Sequence, residues 1–324
     1  MKRNNLNNYF ITFVLIMLFV IISGCQKKQM DSASKSELNL GQKTFTIAYV
    51  GYSSTNPFWN ALAASARKSA KNLSINFLDL TASAADMAQQ KTAVDNAIIR
   101  GVDGLLIGAV DSRGLGDSFD KAQAAGIQIV TVDTRVDHPA VRSHIATDNI
   151  AAANLAGEYI AERLNNKGKV LILGGSTGSQ TADDRQKGVE EILHRHTDME
   201  TIFRVANWDA KQANEITNNV LSSNPDLRAI FAACDPMIFT AMQAVKAKGK
   251  LDDVVLVGFD AIPAVLKAIK AGDVDATVRQ DPERMGKEGM ELLVRHLQGE
   301  KIPTHVQISA EIIDKTNVIP FLTK

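Results

Sequence analysis

Ser53-Ser54-Thr55-Asn56-Pro57-Phe58-Trp59 joins two unlike runs, and the order of those runs decides the fold. Before it, Phe45-Thr46-Ile47-Ala48-Tyr49-Val50 reads as a buried strand closed by Gly51. After it, residues 60–70 are rich in alanine with spaced charges, which favours helix. Pro57 suits the first helical turn, where its missing N–H costs nothing, and Asn56 is placed to cap that turn. This is the first β-to-α turn of an α/β fold, at the strand end where such sheets bind ligands. A phosphate cradle needs glycines for close backbone approach. This turn offers an amide and two aromatic rings, a chemistry for a flat, neutral, hydroxyl-bearing molecule.

Outward from this turn, strand-like and helix-like runs alternate. Strands are predicted at 45–50, 74–80, 104–107 and 128–133, with helices at 60–73, 87–100 and 115–125 between them. The pattern resumes with strands at 169–173, 201–206, 229–233, 254–259 and 276–278. Its helices are predicted at 182–194, 211–222, 237–248 and 262–271. Strict alternation predicts parallel sheets with helices on both faces. The two halves echo each other: Ile107-Gly108-Ala109-Val110-Asp111 and Phe231-Ala232-Ala233-Cys234-Asp235 each end a third strand in an acid. Thr131-Val132-Asp133 and Gly258-Phe259-Asp260 each end the next one in Asp. The expectation is two doubly wound, Rossmann-like domains. A last helix at 282–297 and one short terminal strand complete one half or the other.

The 324 residues allow two domains of ordinary size, and 36 basic against 36 acidic side chains leave no basic surplus for nucleic acid. At the N-terminus, Lys2 and Arg3 precede an apolar run at 10–22 too short to span a bilayer comfortably, and Ile22-Ser23-Gly24-Cys25 follows. Small residues before a cysteine resemble a bacterial lipoprotein signal, so residues 1–24 read as a signal peptide, Cys25 as the lipidated residue and 25–42 as a tether. Losing 1–24 removes Lys2 and Arg3 and no acid, leaving 34 basic against 36 acidic side chains. Cys234 is then the one free thiol, so no intrachain disulfide is expected. The six histidines show no zinc-ligand grouping, and neither a metal nor a cofactor is expected.

Gly174-Gly175-Ser176-Thr177-Gly178 matches the G-x-S-x-G turn of α/β-hydrolases between a strand and a helix. No HGGG-like oxyanion loop precedes it, and a tight turn with Ser179 or Thr181 as helix cap accounts for it equally. An extracytoplasmic serine hydrolase stays open as an alternative. Asp133 and Asp260 read singly as caps or turn formers. Arg185 follows Asp183-Asp184 and either pairs with them or points into a cleft. Gln280 ends a strand just before Asp281-Pro282.

Taken together, several pieces resemble the periplasmic solute-binding proteins of ABC importers, in particular the ribose-binding branch. They are Asn56-Pro57-Phe58-Trp59, Thr131-Val132-Asp133 and Ser143-His144-Ile145-Ala146-Thr147-Asp148-Asn149. Arg185 with Gly188, Asp235 with Met237, Val257-Gly258-Phe259-Asp260 and Gln280-Asp281-Pro282 complete them. Residues 43 to the C-terminus are covered. The resemblance implies domains of 43–147 plus 281–309 and 148–280 plus 310–324, crossing near Thr147, Gln280 and Ala310, with the ligand between them. It implies that Phe58, Trp59 and Trp208 stack on sugar faces and that Asn56, Asp133, Arg185, Asp260 and Gln280 bond hydroxyls. Cys234 would line the same cleft, beside a helix N-terminus that promotes its thiolate. Ribose binders typically carry arginine where this chain has Thr134 and asparagine where it has Cys234, which turns the expectation from ribose to another sugar or polyol. The implied partner is an ABC permease, or alternatively a chemoreceptor or sensor kinase reading the same closed state. The chain is expected to act as a monomer, extracytoplasmic and lipid-anchored.

Overall fold

The computed structural model describes residues 44–322. Cys25 and the preceding signal lie outside those residues. Twelve described strands run in chain order: β1 Thr46–Val50, β2 Asn76–Asp79, β3 Gly104–Ile107, β4 Gln128–Val132, β5 Val141–Thr147 and β6 Gly168–Gly174. They continue as β7 Met199–Val205, β8 Leu227–Ala232, β9 Val255–Asp260, β10 Ala276–Arg279, β11 His305–Ile308 and β12 Glu311–Asp314. Nine described α-helices alternate with them: α1 Pro57–Asn72, α2 Met87–Ile99, α3 Gly116–Ala124, α4 Asn149–Arg163 and α5 Gln180–Leu193, then α6 Ala210–Ser223, α7 Asp235–Ala247, α8 Pro263–Ala271 and α9 Pro282–Leu297.

The strands form two six-stranded sheets, ordered β11-β5-β4-β3-β1-β2 and β12-β10-β9-β8-β6-β7. Apart from its last strand, each half follows one order, 2-1-3-4-5 against 7-6-8-9-10. The sequence echo between the halves therefore extends to topology. All pairings are parallel except β10 with β12. The chain passes from the first sheet to the second after β5, returns after β10, and crosses again between β11 and β12. Where one terminal strand was expected there are two, and each closes a different sheet.

Strand periodicity explains the core. In β1, Ile47 and Tyr49 face one layer with α1 and α9, while Ala48 and Val50 face the other with α2 and α3. Buried Phe58, Leu62, Ala66 and Ala70 fall four residues apart, which gives α1 one apolar stripe. The second sheet has a single large core cluster built from β6, β8, β9 and β10 with their flanking helices.

Two elements lacked a predicted counterpart, β5 and α4. In β5, Arg142, Ser143 and His144 break the apolar pattern, yet Ser143 and His144 are buried. His144 Nδ1 meets Thr131 Oγ1 at 2.9 Å in the neighbouring strand, which offsets the cost of burying the ring. α4 starts at Asp148, whose carboxylate accepts from Ala151 N–H.

Candidate functional site

The carboxyl ends of the strands of both sheets meet at a cavity lined by residues of both lobes. All nine residues singled out from sequence line it: Asn56, Phe58, Trp59, Asp133, Arg185, Trp208, Cys234, Asp260 and Gln280. Tyr52, Thr134, Ser179 and Thr181 complete the wall.

On the first lobe, Asn56 Oδ1 accepts from Phe58 N–H at 2.9 Å, which caps α1 as expected and leaves its amide N–H groups for the cavity. Trp59 packs edge-on to Phe58, with centroids 5.3 Å apart, and stacks on Tyr52 at 5.8 Å. Buried Gln90 ties the strand ends beneath them, donating to Gly51 O and Gly108 O and accepting from Val110 N–H. Tyr52 was legible as an aromatic right after the Gly51 turn, but only the tertiary fold shows it standing beside Trp59.

On the second lobe, Arg185 is 3% exposed. Its Nε donates to Asn149 Oδ1 at 2.8 Å and its Nη1 to Ala233 O at 2.7 Å. The guanidinium lies 3.8 Å over the Phe259 ring and 5.6 Å from that of Trp208. Asp260 Oδ1 stands 3.7 Å from Nη1, and Asp133 Oδ1, from the other lobe, 4.0 Å from Nη2. The pairing with Asp183 or Asp184 does not occur, because the helix turns Arg185 inward; Asp184 instead accepts from Gln180 Nε2. Nη2 has no hydrogen-bond partner among the described residues, so its donors face the cavity.

Neither strand-end aspartate caps a helix. Asp133 has φ 60° and Asp260 φ 121°, and Asn207 and Trp208 sit at 52° and 60°. Asp and Asn enter the left-handed region at little cost, but Trp208 there, and Asp260 well beyond it, are strained by roughly 1–3 kcal/mol each, and such strain concentrates at ligand sites. Gln280 Nε2 donates to Asp260 Oδ1 at 2.7 Å while its Oε1 accepts from Thr147 Oγ1 at 2.7 Å. One side chain thus joins the cavity to two of the three lobe crossings. Behind it, Asp235 accepts from Thr277 Oγ1 and from Ile262 N–H.

Burial raises the pKa of Asp133, and Arg185 only partly offsets it. Asp260 is pushed up to about 6 by the same burial against the same arginine. Cys234 corrects an expectation. Its sulfur lines the cavity, but burial first and the Asp260 carboxylate second push its pKa up, so a helix N-terminus does not produce a thiolate here. Ser179 rather than Thr181 caps α5, accepting from Ala182 N–H. Ser176 receives no histidine hydrogen bond among the described residues, so no triad is assembled at the glycine turn. Away from the crossings, Ser112 N–H donates to Gly178 O and Gln180 N–H to Ser112 Oγ, bridging the lobes at the mouth.

Two similar parallel-sheet lobes, three crossings and a polar, aromatic-walled cavity between them define a two-lobed binding protein. The periplasmic binding protein domain matches residues 47–301, and the chain belongs to that family. It is similar to the ribose import binding protein of Salmonella typhimurium, 33% identical over 270 residues that cover 83% of this chain and 90% of that protein. An ABC transporter solute binding protein from Bacillus halodurans with bound myo-inositol superposes with a TM-score of 0.81 at 28% identity, covering 87% of this chain and 99% of that one. One from Actinobacillus succinogenes with bound D-allose gives 0.80 at 27%, covering 85% and 99%.

Proposed function

We propose that this chain captures a sugar or polyol between its two lobes outside the cytoplasm and delivers it to the permease of an ABC importer. The observation that carries this reading is the composition of one cavity. Aromatic rings suit the C–H faces of a sugar, and a fringe of carboxylates, amides and a guanidinium suits its hydroxyls. The names of the relatives above support the same class. The lobes are assigned as 43–147 plus 281–309 and 148–280 plus 310–324. Ligand shifts an open–closed equilibrium by touching both of them.

Trp59 and Trp208 line the cavity from opposite lobes and are the only tryptophans in the chain. A sugar that raises the melting temperature will therefore change intrinsic fluorescence over the same concentration range. At about one hundred times its dissociation constant it will stabilise the fold by roughly 2.7 kcal/mol. A stabilising sugar that leaves the spectrum unchanged overturns the aromatic wall.

Affinity will depend on pH with a definite sign. Asp260, at about 6 in the free protein, accepts hydroxyls best when ionised. Affinity will thus be highest above pH 6 and fall as pH drops below it, by up to about tenfold per unit for one coupled proton. His144, pushed down to about 4 chiefly by burial, stays neutral through that window. Calorimetric titration from pH 7.5 to 4.5 reads this, and a flat profile rules out an ionised Asp260 as hydroxyl acceptor.

The anchor is proposed at Cys25, supported by the small residues that precede it. Cys25→Ser will move the protein from the membrane fraction to the soluble one, and a variant retained on membranes refutes the anchor. Among the described residues no helix is long and apolar enough to cross a membrane.

A further inference from the structure

The cavity carries more acid than base. Asp133 and Asp260 line it, and Arg185 is the one cation among its lining residues. The neighbouring arginines are engaged elsewhere: Arg135 is exposed and pairs with Asp137 at 2.7 Å, and Arg279 pairs with Glu311 at 3.0 Å. Asp235, just behind the wall, has its oxygens held by Thr277 and Ile262 and adds no positive charge.

Arg185 cannot move to restore the balance. Two bonds of 2.8 and 2.7 Å fix it to Asn149 and Ala233 of its own lobe, and its face lies flat on Phe259. Of the two acids it serves, Asp260 also receives Gln280 Nε2. Asp133 receives only the Thr134 hydroxyl, at 3.2 Å on Oδ2. Its Oδ1 has no hydrogen-bond donor among the described residues, and Arg185 Nη2 stands beyond bonding reach at 4.0 Å. Asp133 is 7% exposed and lines the cavity, so half of its acceptors are left for whatever occupies that space. The raised pKa of Asp133 has the same origin, burial that one distant guanidinium does not offset.

We propose that the ligand is a hydroxylated amine: a sugar, cyclitol or polyol bearing a protonated amino or ring-imino group, with its ammonium seated on Asp133. This rests on the reading of the cavity as a sugar or polyol site. An ammonium supplies the N–H donors that Oδ1 lacks and also the missing charge, and charge-assisted hydrogen bonds are about twice as strong as neutral ones. The faces of Trp59, Tyr52 and Trp208 around it attract cations as well as C–H groups. A neutral polyol satisfies the hydrogen bonds and leaves the excess negative charge buried, which is costly.

The test is calorimetric titration of the mature protein at pH 7.5 with matched pairs. These are 1,4-dideoxy-1,4-imino-D-ribitol with D-ribose, D-glucosamine with D-glucose, and D-galactosamine with D-galactose, each hexosamine repeated as its N-acetyl derivative. At least one amine is expected to bind tenfold or more tighter than its neutral partner, and N-acetylation of a preferred hexosamine to abolish the advantage. Thr134→Arg, which adds the missing cation beside Asp133, should weaken the preferred amine at least tenfold while its neutral partner holds or improves. Asp133→Asn should also remove the preference; the melting temperature of each free variant verifies folding. Neutral sugars that bind while no amine binds tighter overturn this proposal and leave the sugar reading standing. Binding by neither class overturns both.

Discussion

Replacing Arg185 with alanine will lower the affinity for a neutral sugar by about 3 kcal/mol, more than a hundredfold, because the change removes the two free donors of Nη2 and strands two acids. Both effects follow from the geometry. Nε and Nη1 are committed to Asn149 and Ala233, so the part of the fork that faces the cavity is Nη2. Asp133 and Asp260 lose their shared cation, and uncompensated buried charge destabilises by roughly 3–5 kcal/mol. The melting temperature of the free protein will therefore fall too. Arg185→Lys separates the two losses. It restores a positive charge near the acids, and with it most of the stability, but not the planar fork, so affinity stays about tenfold or more below wild type. Calorimetric titration and thermal melting of both variants decide the matter. An alanine variant with wild-type affinity removes Arg185 from the binding surface.

The same residue shows where sequence reading stops. Its place on the helix after the glycine turn was legible, and so was its capacity to point either way. What turns it inward is Asn149, 36 residues away, at the start of a helix that the sequence pattern did not yield. α4 is hard to read because five of its fifteen residues are alanines spread round the helix, with little contrast between its faces. β5 is hard to read because its buried Ser143 and His144 are stabilised by a neighbouring strand rather than by apolarity. The βα alternation was plain because parallel strands buried on both faces are written as short continuous apolar runs. The nine cavity residues were readable through resemblance, since motif order carries three-dimensional proximity that spacing alone does not. Backbone strain at Asp260 and Trp208 had no signal in the residue types. Cys234 failed in a different way: a helix N-terminus is visible in sequence, but complete burial is not, and burial wins.

Gly175→Ala will weaken ligand binding by about 1–3 kcal/mol, ten- to a hundredfold, although residue 175 itself needs no glycine dihedral. The indole of Trp208 lies directly against the Gly175 backbone, so that a β-carbon there would overlap its ring atoms. Carbon atoms in contact settle near 3.5–4.0 Å, so the ring must be displaced, and its other side borders the ligand cavity. Trp208 is only half-buried and has room to swing outward, hence the melting temperature of the free variant will change little. Gly108 provides the contrast. A β-carbon there would overlap Trp59, which is 6% exposed and wedged between Phe58 and Tyr52. That ring has nowhere to go, so Gly108→Ala will lose affinity and about 1–3 kcal/mol of stability together, the cost of overpacking a filled core. Gly116→Ala, where an added β-carbon meets nothing within 4 Å, serves as the neutral control. If Gly175→Ala binds the ligand as wild type does, the Trp208 face is not part of the binding surface. If Gly108→Ala loses affinity without losing stability, Trp59 is freer than its packing implies, and its ring acts as a mobile cover rather than a fixed wall.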